Sequence, residues 1–212
     1  MKVVEIAENK EIAPNAYVIE FKRPFHFQPG QVVSLSINGH DPRMYSIASG
    51  NTEDIVKILY DIKPDGELTP ILRQLKKGDF IKVSEPAGKF SGDDEPGYWI
   101  ANGTGIAPFY SMFRSGLAAG KTLIHGGRTR NSFYFQDEFQ PYFLDKYIRC
   151  ASKDHGNGLY PGRLTSYVKE QNNLPTNQKY YLCGSPEMVV EVRDILISKH
   201  IPFGNIIAEI YF

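Results

Sequence analysis

The spacing of strand-like runs changes within the segment Ser91–Gly97, and this change limits the possible folds more than any other feature of the chain. Before it, six short runs of apolar and β-branched residues are separated by turn signals such as Pro29-Gly30. One helix is predicted among them, over Leu68–Lys76, with Gly78 as its left-handed cap. Six closely spaced strands with a single helix predict a small antiparallel β-barrel. The predicted strands are Val3–Ile6, Tyr17–Phe21, Val32–Ile37, Tyr45–Ala48, Ile55–Tyr60 and Phe80–Val83.

After this polar, breaker-rich segment, strands alternate with helices. Short buried strands that alternate with helices predict a parallel sheet covered on both faces. The chain has 212 residues, enough for two domains of about 100 residues each. We predict a six-stranded barrel over residues 1–94 and an α/β domain with a five-stranded parallel sheet over residues 95–212. The predicted strands are Tyr98–Ala101, Thr122–His125, Tyr147–Ala151, Tyr180–Cys183 and Asn205–Ile210, and the helices follow Gly105 and cover Gln136–Leu144, Leu164–Glu170 and Pro186–Lys199.

The charge balance argues against a nucleic-acid or membrane-surface binder. The sequence carries 24 basic and 24 acidic residues, whereas such binders usually have a basic excess. No stretch approaches the roughly 18 uninterrupted apolar residues that a membrane span needs, and the first residues show no secretory signal. We therefore expect a cytoplasmic protein without a membrane span.

The two cysteines, Cys150 and Cys183, lie far apart in sequence and lack metal-ligand spacing. They cannot by themselves hold an iron–sulfur cluster or a tetrahedral zinc ion. We expect reduced thiols and no metal site.

A candidate nucleotide-binding turn opens the second domain. The strand that ends at Ala101 runs into Gly103-Thr104-Gly105, and a helix containing Pro108 follows. Glycines allow a tight turn and let a pyrophosphate approach the N–H groups at the start of a helix. Because the pattern is G-x-G-x-x-P and not G-x-G-x-x-G, a strand–helix turn without a ligand is the alternative interpretation.

A second candidate is the tetrapeptide Arg43-Met44-Tyr45-Ser46 at the start of a predicted strand. Strand alternation sends Arg43 and Tyr45 to one face and Ser46 to the other. An arginine can fork onto a phosphate while a tyrosine packs beside a planar ring. From these four residues alone, an edge strand with a solvated arginine is the better interpretation.

Five motifs in a fixed order favour a binding role for this tetrapeptide over a solvated edge strand. The order is R-x-Y-S, P-D-G-x-L-T, G-T-G-I-A-P, Y-L-C-G-S-P-E-M and, at the end, E-x-Y. Over essentially the whole chain this order resembles the ferredoxin–NADP reductase family. The closest resemblance is to its compact bacterial members, which also carry one more aromatic residue after the terminal tyrosine. The resemblance implies a barrel that binds FAD and a parallel-sheet domain that binds NADP.

For the FAD site, the resemblance implies that Arg43 holds the pyrophosphate, that Tyr45 lies against the flavin with Met44 beside it, and that Ser46 hydrogen-bonds near flavin N5. Tyr60 would either stack on the adenine or pack in the core, and both interpretations remain open. The turn implied to meet the same pyrophosphate consists of Gly66, Glu67, Leu68 and Thr69.

For the nicotinamide, the resemblance implies that Cys183 packs beside the ring and that Glu209 assists proton movement. A terminal aromatic residue would cover the flavin, and either Tyr211 or Phe212 fits that role. The catalytic set would be Ser46, Cys183, Glu209 and Tyr211. The nucleotide contacts in this domain would be Gly103, Thr104, Gly105, Ile106, Pro108, Cys183, Gly184 and Met188.

Three cations follow the ends of neighbouring predicted strands or precede a helix. They are Arg128, Lys153 and Arg163, and they match the cation positions of NADPH-specific relatives. The 2′-phosphate of NADPH needs such charges, so we predict NADPH as the nucleotide. Arg130 is a possible fourth cation, and Phe135 could face the adenine.

The predicted function is electron exchange between NADPH and a one-electron carrier, ferredoxin or flavodoxin, through FAD. One alternative is a flavin reductase or diaphorase on the same scaffold. Another is an electron-transfer subunit of a larger complex, and a third is a nucleotide-binding module without turnover.

Overall fold

The computed structural model of the chain describes residues 1–37 and 39–210, and contacts group them into two units. The first unit contains Met1–Gly92 together with Ala107–Leu117. The second contains Asp93–Ile106 and the chain from Ala118 onward. Residues 107–117 therefore group with the first unit, although they follow the first strand of the second. The assignment of whole domains to residues 1–94 and 95–212 stays a prediction.

The first unit is an antiparallel six-stranded sheet with the spatial order β4-β3-β6-β1-β2-β5. An additional bridge between Ile47 and Ile58 joins the end of β4 to β5, so the two edges of the sheet meet. The predicted antiparallel barrel is confirmed. Its strands are β1 (Lys2–Ala13), β2 (Ala16–Lys22), β3 (Val32–Ser36), β4 (Arg43–Ser46), β5 (Ile55–Asp61) and β6 (Phe80–Val83).

Inward-facing side chains from all six strands or their ends fill the barrel. Ile6, Phe21, Leu35 and Ile58 are fully buried there. Burying an aliphatic or aromatic side chain of this size stabilises the fold by roughly 1.5–3 kcal/mol. The helix predicted over 68–76 is shorter, with α1 covering only Thr69–Leu72.

Helix α2 (Ala107–Arg114) completes the first unit. The Ser111 hydroxyl donates to the carbonyl oxygen of Ser49 at 2.7 Å, and the Arg114 guanidinium pairs with Glu53 at 2.9 Å. The Phe109 ring also meets Phe90 edge-on, with centroids 5.7 Å apart. Buried apolar and polar contacts thus both hold this helix in the first unit.

The second unit has a parallel sheet with the spatial order β10-β9-β8-β7-β11-β12. The prediction of five strands was wrong by one, because Tyr160–Pro161 forms a two-residue edge strand beside β9. Two residues, one of them proline, are too short for any periodic signal. The strands are β7 (Gly97–Asn102), β8 (Lys121–Gly127), β9 (Tyr147–Ala151), β10 (Tyr160–Pro161), β11 (Lys179–Gly184) and β12 (Ile206–Ile210).

Helices cover both faces of this sheet. Adjacent residues of a strand point to opposite sides, so neighbouring residues of β7 pack against different helices. On one face, Ile100 packs in a cluster with Leu164 and Val192. On the other face, Trp99 meets Phe143 edge-on at 6.1 Å. The helices are α3 (Gln136–Phe143), α4 (Leu164–Glu170) and α5 (Pro186–Ser198). No helix within residues 1–37 and 39–210 has the length and apolar character needed to cross a membrane.

A buried ammonium group anchors the first residues of the second unit. The side chain of Lys121 is completely buried and donates to the Asp93 carbonyl oxygen at 2.9 Å, to Asp93 Oδ1 at 3.2 Å and to the Glu95 carbonyl oxygen. The second oxygen of Asp93 accepts hydrogen bonds from the Lys179 ammonium and, at 3.0 Å, from the Tyr181 hydroxyl. The carboxylate therefore serves three donors at once.

We predict that Asp93→Asn lowers the free energy of unfolding by about 3 kcal/mol near neutral pH, because Lys121 would lose its buried counter-charge. Burial opposes ionisation of Asp93, but hydrogen bonds from Lys179, Lys121 and Tyr181 outweigh it and lower its pKa from 3.8 to about 2. A depressed carboxyl pKa contributes stability above about pH 4, and this contribution is lost as the pH falls toward 2. Denaturant titrations at several pH values should therefore show the gap between wild type and variant closing over that window.

The matched control for this prediction is Asp94→Asn, which removes the charge of the exposed neighbouring residue. It should change the free energy of unfolding by less than about 0.5 kcal/mol. An Asp93→Asn variant as stable as the wild type would contradict the role of Asp93, and an equal loss in both variants would show that the loss is not specific to the buried network.

Candidate functional site

The tetrapeptide 43–46 forms β4, which is exposed at its start and buried at its end. Arg43 and Met44 are exposed, Tyr45 is half-buried against the barrel core, and Ser46 is buried. Burial raises the pKa of Tyr45 to about 12, although the positive charge of Arg43 works against this shift. The tyrosine therefore stays a neutral hydroxyl at any ordinary pH, beside the positive charge of Arg43.

The turn before α1 lies next to β4. The Gly66 N–H donates to the Lys63 carbonyl oxygen at 2.9 Å, and the hydroxyl of Thr69 accepts from the Lys63 N–H at 2.9 Å. Glu67, in the same turn, lies 3.7 Å from the Arg43 guanidinium. The structure thus brings together two motifs that are separated in sequence. Leu68, the remaining predicted contact of this turn, is buried.

Tyr60 lies in the barrel core. Its side chain is 1% exposed, and its hydroxyl donates to Asn9 Oδ1 at 2.9 Å. The ring also stacks on Tyr17, with centroids 5.6 Å apart. The structure thus buries the Tyr60 ring among barrel residues, and the choice between its two interpretations stays a prediction.

In the second unit, the sheet has a topological switch point between β7 and β11. The chain runs from β7 outward through β8 and β9 on one side, and β11 and β12 lie on the other side. Ligands of such sheets bind at the carboxyl ends of the strands where the order reverses. The glycine-rich loop and the turn after Cys183 both lie at this position.

The glycine-rich loop forms a 3₁₀ turn, Gly103–Ile106, that touches the end of β11. A Cβ at Gly105 would lie 2.4 Å from the Cys183 carbonyl oxygen, so only glycine allows this approach. Gly184 adopts φ +148°, and a Cβ there would lie 1.8 Å from Asn102 Oδ1. The two backbones therefore meet without side chains between them.

Cys183 is buried at the carboxyl end of β11, and strand pairing places Glu209 of β12 beside it. Glu209 is half-buried. Met188 is buried in the cluster under α5, and its N–H donates to the Ser185 hydroxyl that caps the helix. Tyr211 and Phe212 lie outside the described residues. Of the other predicted contacts, Thr104 is half-buried, Ile106 is buried, and Pro108 is buried in α2 of the first unit.

The three predicted cations stand close to one another along the same edge of the sheet. The Lys153 N–H donates to the Arg128 carbonyl oxygen at 2.8 Å, and the Gly162 N–H donates to the Ala151 carbonyl oxygen at 3.0 Å. These bonds hold the segments after β8, after β9 and before α4 together. The side chains of Arg128, Lys153 and Arg163 are exposed, and within the described part of the chain none has an acidic partner at ion-pair distance.

Arg130 differs from these three. Its guanidinium and its backbone N–H both bind the carboxylate of Asp154 at 3.2 Å. The backbone and side-chain hydrogen bonds from Arg130 lower the pKa of Asp154. The one carboxylate on the segment after β9 is therefore already paired.

Asn102 is the site residue that the motifs did not indicate. It ends β7, directly before the glycine-rich loop, and its side chain bonds Ser185 at the start of α5. A hydrogen-bonding side chain on the last residue of a buried strand is the only sequence signal that could have suggested it.

Family models match most of the chain in two consecutive parts. The model of an oxidoreductase FAD-binding domain matches residues 3–91. The model of an oxidoreductase NAD-binding domain matches residues 99–194.

Two curated relatives cover most of this chain. A probable dihydroorotate dehydrogenase B (NAD(+)) electron transfer subunit from Pyrococcus furiosus is 28% identical over 197 residues, which are 92% of this chain and 75% of that protein. The ferredoxin–NAD(P)(+) reductase component of the naphthalene 1,2-dioxygenase system from Pseudomonas putida is 26% identical over 199 residues. That match spans 86% of this chain but only 59% of the relative.

A solved structure has the same fold over its full length. The ferredoxin NADP+ reductase from Neisseria gonorrhoeae, with bound FAD and NADP, matches with a TM-score of 0.86 and 21% identity. The match covers 100% of this chain and 98% of that one.

We predict that Gly105→Ala lowers the free energy of unfolding by about 1–3 kcal/mol, because its Cβ meets backbone atoms that cannot rotate away. Gly204→Ala is the control, since a Cβ there has nothing within 4 Å. It should change stability by less than about 0.5 kcal/mol. Urea titrations of both variants make the comparison, and equal stability would mean that the loop can move away from Cys183 freely.

Proposed function

The chain belongs to the ferredoxin–NADP reductase family of FAD- and NAD(P)-binding oxidoreductases, and on that premise we propose that it exchanges electrons between NADPH and a one-electron carrier, ferredoxin or flavodoxin. The proposal assigns FAD to the barrel and the nucleotide to the parallel sheet. The observation that carries it is the row of exposed cations at the carboxyl edge of that sheet. We place the reaction in the cytoplasm, since both cysteines are free thiols.

The barrel residues fit an FAD. Arg43 is exposed and pairs with Glu67 at 3.7 Å, and its fork of donors can turn to a pyrophosphate, which carries more charge than one carboxylate. Tyr45 offers a half-buried ring to a planar group, and Ser46 offers a hydroxyl that is shielded from water. Bound FAD would supply the redox chemistry by taking up a hydride and releasing electrons singly.

The sheet residues fit NADPH better than NADH. A 2′-phosphate adds negative charge at the adenosine end, and Arg128, Lys153 and Arg163 would meet it without breaking an ion pair among residues 1–37 and 39–210. NADH recognition instead uses a carboxylate on the ribose hydroxyls. Asp154, the carboxylate on the segment after β9, is held by Arg130 and would have to leave it.

At the switch point, we assign the nicotinamide to the end of β11. Cys183 would shape the pocket there as a small buried group and would not act as a nucleophile. Glu209, its neighbour in the sheet register, would hold or move a proton. The assignment of a covering ring to Tyr211 or Phe212 remains a prediction.

The carrier is proposed because FAD can release electrons singly and because of the names of the relatives. The Pseudomonas putida relative is a ferredoxin–NAD(P)(+) reductase component, which supports a ferredoxin as partner. The Pyrococcus furiosus relative supports a second candidate function, an electron transfer subunit of a larger enzyme. Such a subunit would pass electrons to a tightly bound partner protein and only slowly to a free carrier.

We predict that the purified protein is yellow and that anaerobic titration bleaches its visible absorbance at lower concentrations of NADPH than of NADH.

Replacing Arg128, Lys153 or Arg163 by Ala should in each case weaken NADPH binding about tenfold and leave NADH binding unchanged, because each change removes one positive charge that faces the 2′-phosphate. Difference-absorbance titrations of the three variants with NADP+ and NAD+, which bind without reducing the flavin, measure the two affinities.

The matched control is Arg193→Ala, an arginine on α5 that pairs with the adjacent Asp194 at 2.8 Å. It should leave both affinities unchanged. Equal bleaching of the wild type by the two nucleotides would contradict the 2′-phosphate assignment but not the reductase. A colourless protein that does not take up added FAD would contradict the proposed function as a whole.

We predict that ferredoxin or flavodoxin is reduced faster than free flavin under the same NADPH concentration. If the contact is electrostatic, the rate should fall as salt is raised from about 0.05 M to about 0.5 M, because screening shortens the range of charge interactions. Stopped-flow measurement with each carrier tests this. Fast reduction of free flavin together with slow reduction of both carriers would favour a flavin reductase instead.

A further inference from the structure

Asn102 connects the two strands that flank the switch point. Its Oδ1 accepts a hydrogen bond from the Ser185 backbone N–H at 2.9 Å, and its Nδ2 donates to the Ser185 hydroxyl at 3.2 Å. One planar amide therefore ties the end of β7 to the residue that follows β11. No other side chain among the described residues makes both hydrogen bonds to Ser185.

This amide is enclosed by backbone on the side of β11. Gly184 approaches it so closely that a Cβ would lie 1.8 Å from Oδ1 and 3.0 Å from Cγ. The Ser185 hydroxyl is already an acceptor for the Met188 N–H at 3.4 Å, so Asn102 also orients the cap of α5. The amide thus has a defined position, set by a glycine on one side and a cap on the other.

The chemistry of the contact selects asparagine. The bridge needs an acceptor and a donor on one short planar group, which among side chains of this length only asparagine provides. Aspartate would keep the acceptor and lose the donor. Leucine branches at the same carbon and provides neither.

We infer that Asn102 is a positioning residue for the pyridine nucleotide. It holds the loop Gly103–Gly105 and the turn Cys183–Ser185 at a fixed separation, and so sets the width of the crevice in which the pyrophosphate and nicotinamide lie. This inference rests on the proposed function, because that function assigns the nucleotide to these two segments. The adenosine end is assigned to the cations after β8 and β9, which Asn102 does not touch.

The test compares a whole nucleotide with a fragment. NADP+ spans the crevice and the cation row, whereas 2′-AMP reaches only the cation row. In Asn102→Leu, we expect the dissociation constant of NADP+ to rise about tenfold, the loss typical of about one hydrogen bond, and that of 2′-AMP to stay unchanged. Flavin content per chain should equal that of the wild type. Calorimetric titration measures both ligands.

Asn102→Asp covers the case in which the leucine variant does not fold. It retains an acceptor for the Ser185 N–H, but it loses the donor and adds a negative charge at the pyrophosphate position. We expect it to weaken NADP+ binding at least as much as leucine does, with partial recovery at high salt and no change for 2′-AMP. The control is Asn172→Leu, an exposed asparagine of the same unit, which should bind both ligands as the wild type does.

Unchanged NADP+ affinity in both Asn102 variants would overturn the inference. Equal weakening of NADP+ and 2′-AMP would also overturn it, because that result would indicate a general disturbance of the unit. A wild-type protein that binds neither ligand would overturn the proposed function itself, and this outcome is distinguishable because it needs no variant.

Discussion

The close approach of two backbones at the switch point is the constraint on which the rest of the second unit depends. The carbonyl oxygen of Cys183 leaves no room for a side chain at Gly105, and Gly184 leaves none beside Asn102. The loop after β7 and the end of β11 are in contact at this point, and the chain turns there from β11 into α5 with Ser185 as its cap. Strand ends that line a crevice at such a point are typical of nucleotide-binding sheets.

Most of the fold could be predicted from periodicity and breakers, and the exceptions have physical causes. Strand β1 continues to Ala13 and not only to Ile6, because its second half pairs with β2 through exposed polar residues and two register shifts. A half-strand without an apolar face gives no alternation to detect. Strand β10 is two residues long, which is below the length of any pattern. The helix near Leu68 ends at Leu72, and the Asn9 amide of β1 then donates to the carbonyl oxygens of Leu72 and Leu75, a contact that helix propensity does not indicate.

The parts of the candidate site that lie in sequence motifs could be predicted, whereas the parts that depend on contacts between distant residues could not. Arg43 and Glu67 lie close together, and so do the segments that bear Arg128 and Lys153, as an ordered set of motifs implies. Sequence could not tell that Tyr60 is enclosed by the barrel, because a buried and a stacking tyrosine look alike in a strand. It also could not single out Asn102, whose importance depends on a partner 83 positions away.

The return of the chain to the first unit at α2 has a consequence for synthesis. During translation all six barrel strands are complete once Val83 has been made, yet their unit lacks α2 until the ribosome has also added β7 and the glycine-rich loop. Until then Phe90 and the Ser49 carbonyl have no partner from α2. Domains usually fold in order as they emerge. In this chain the first unit gains α2 only after β7 and the glycine-rich loop of the second unit have been synthesised.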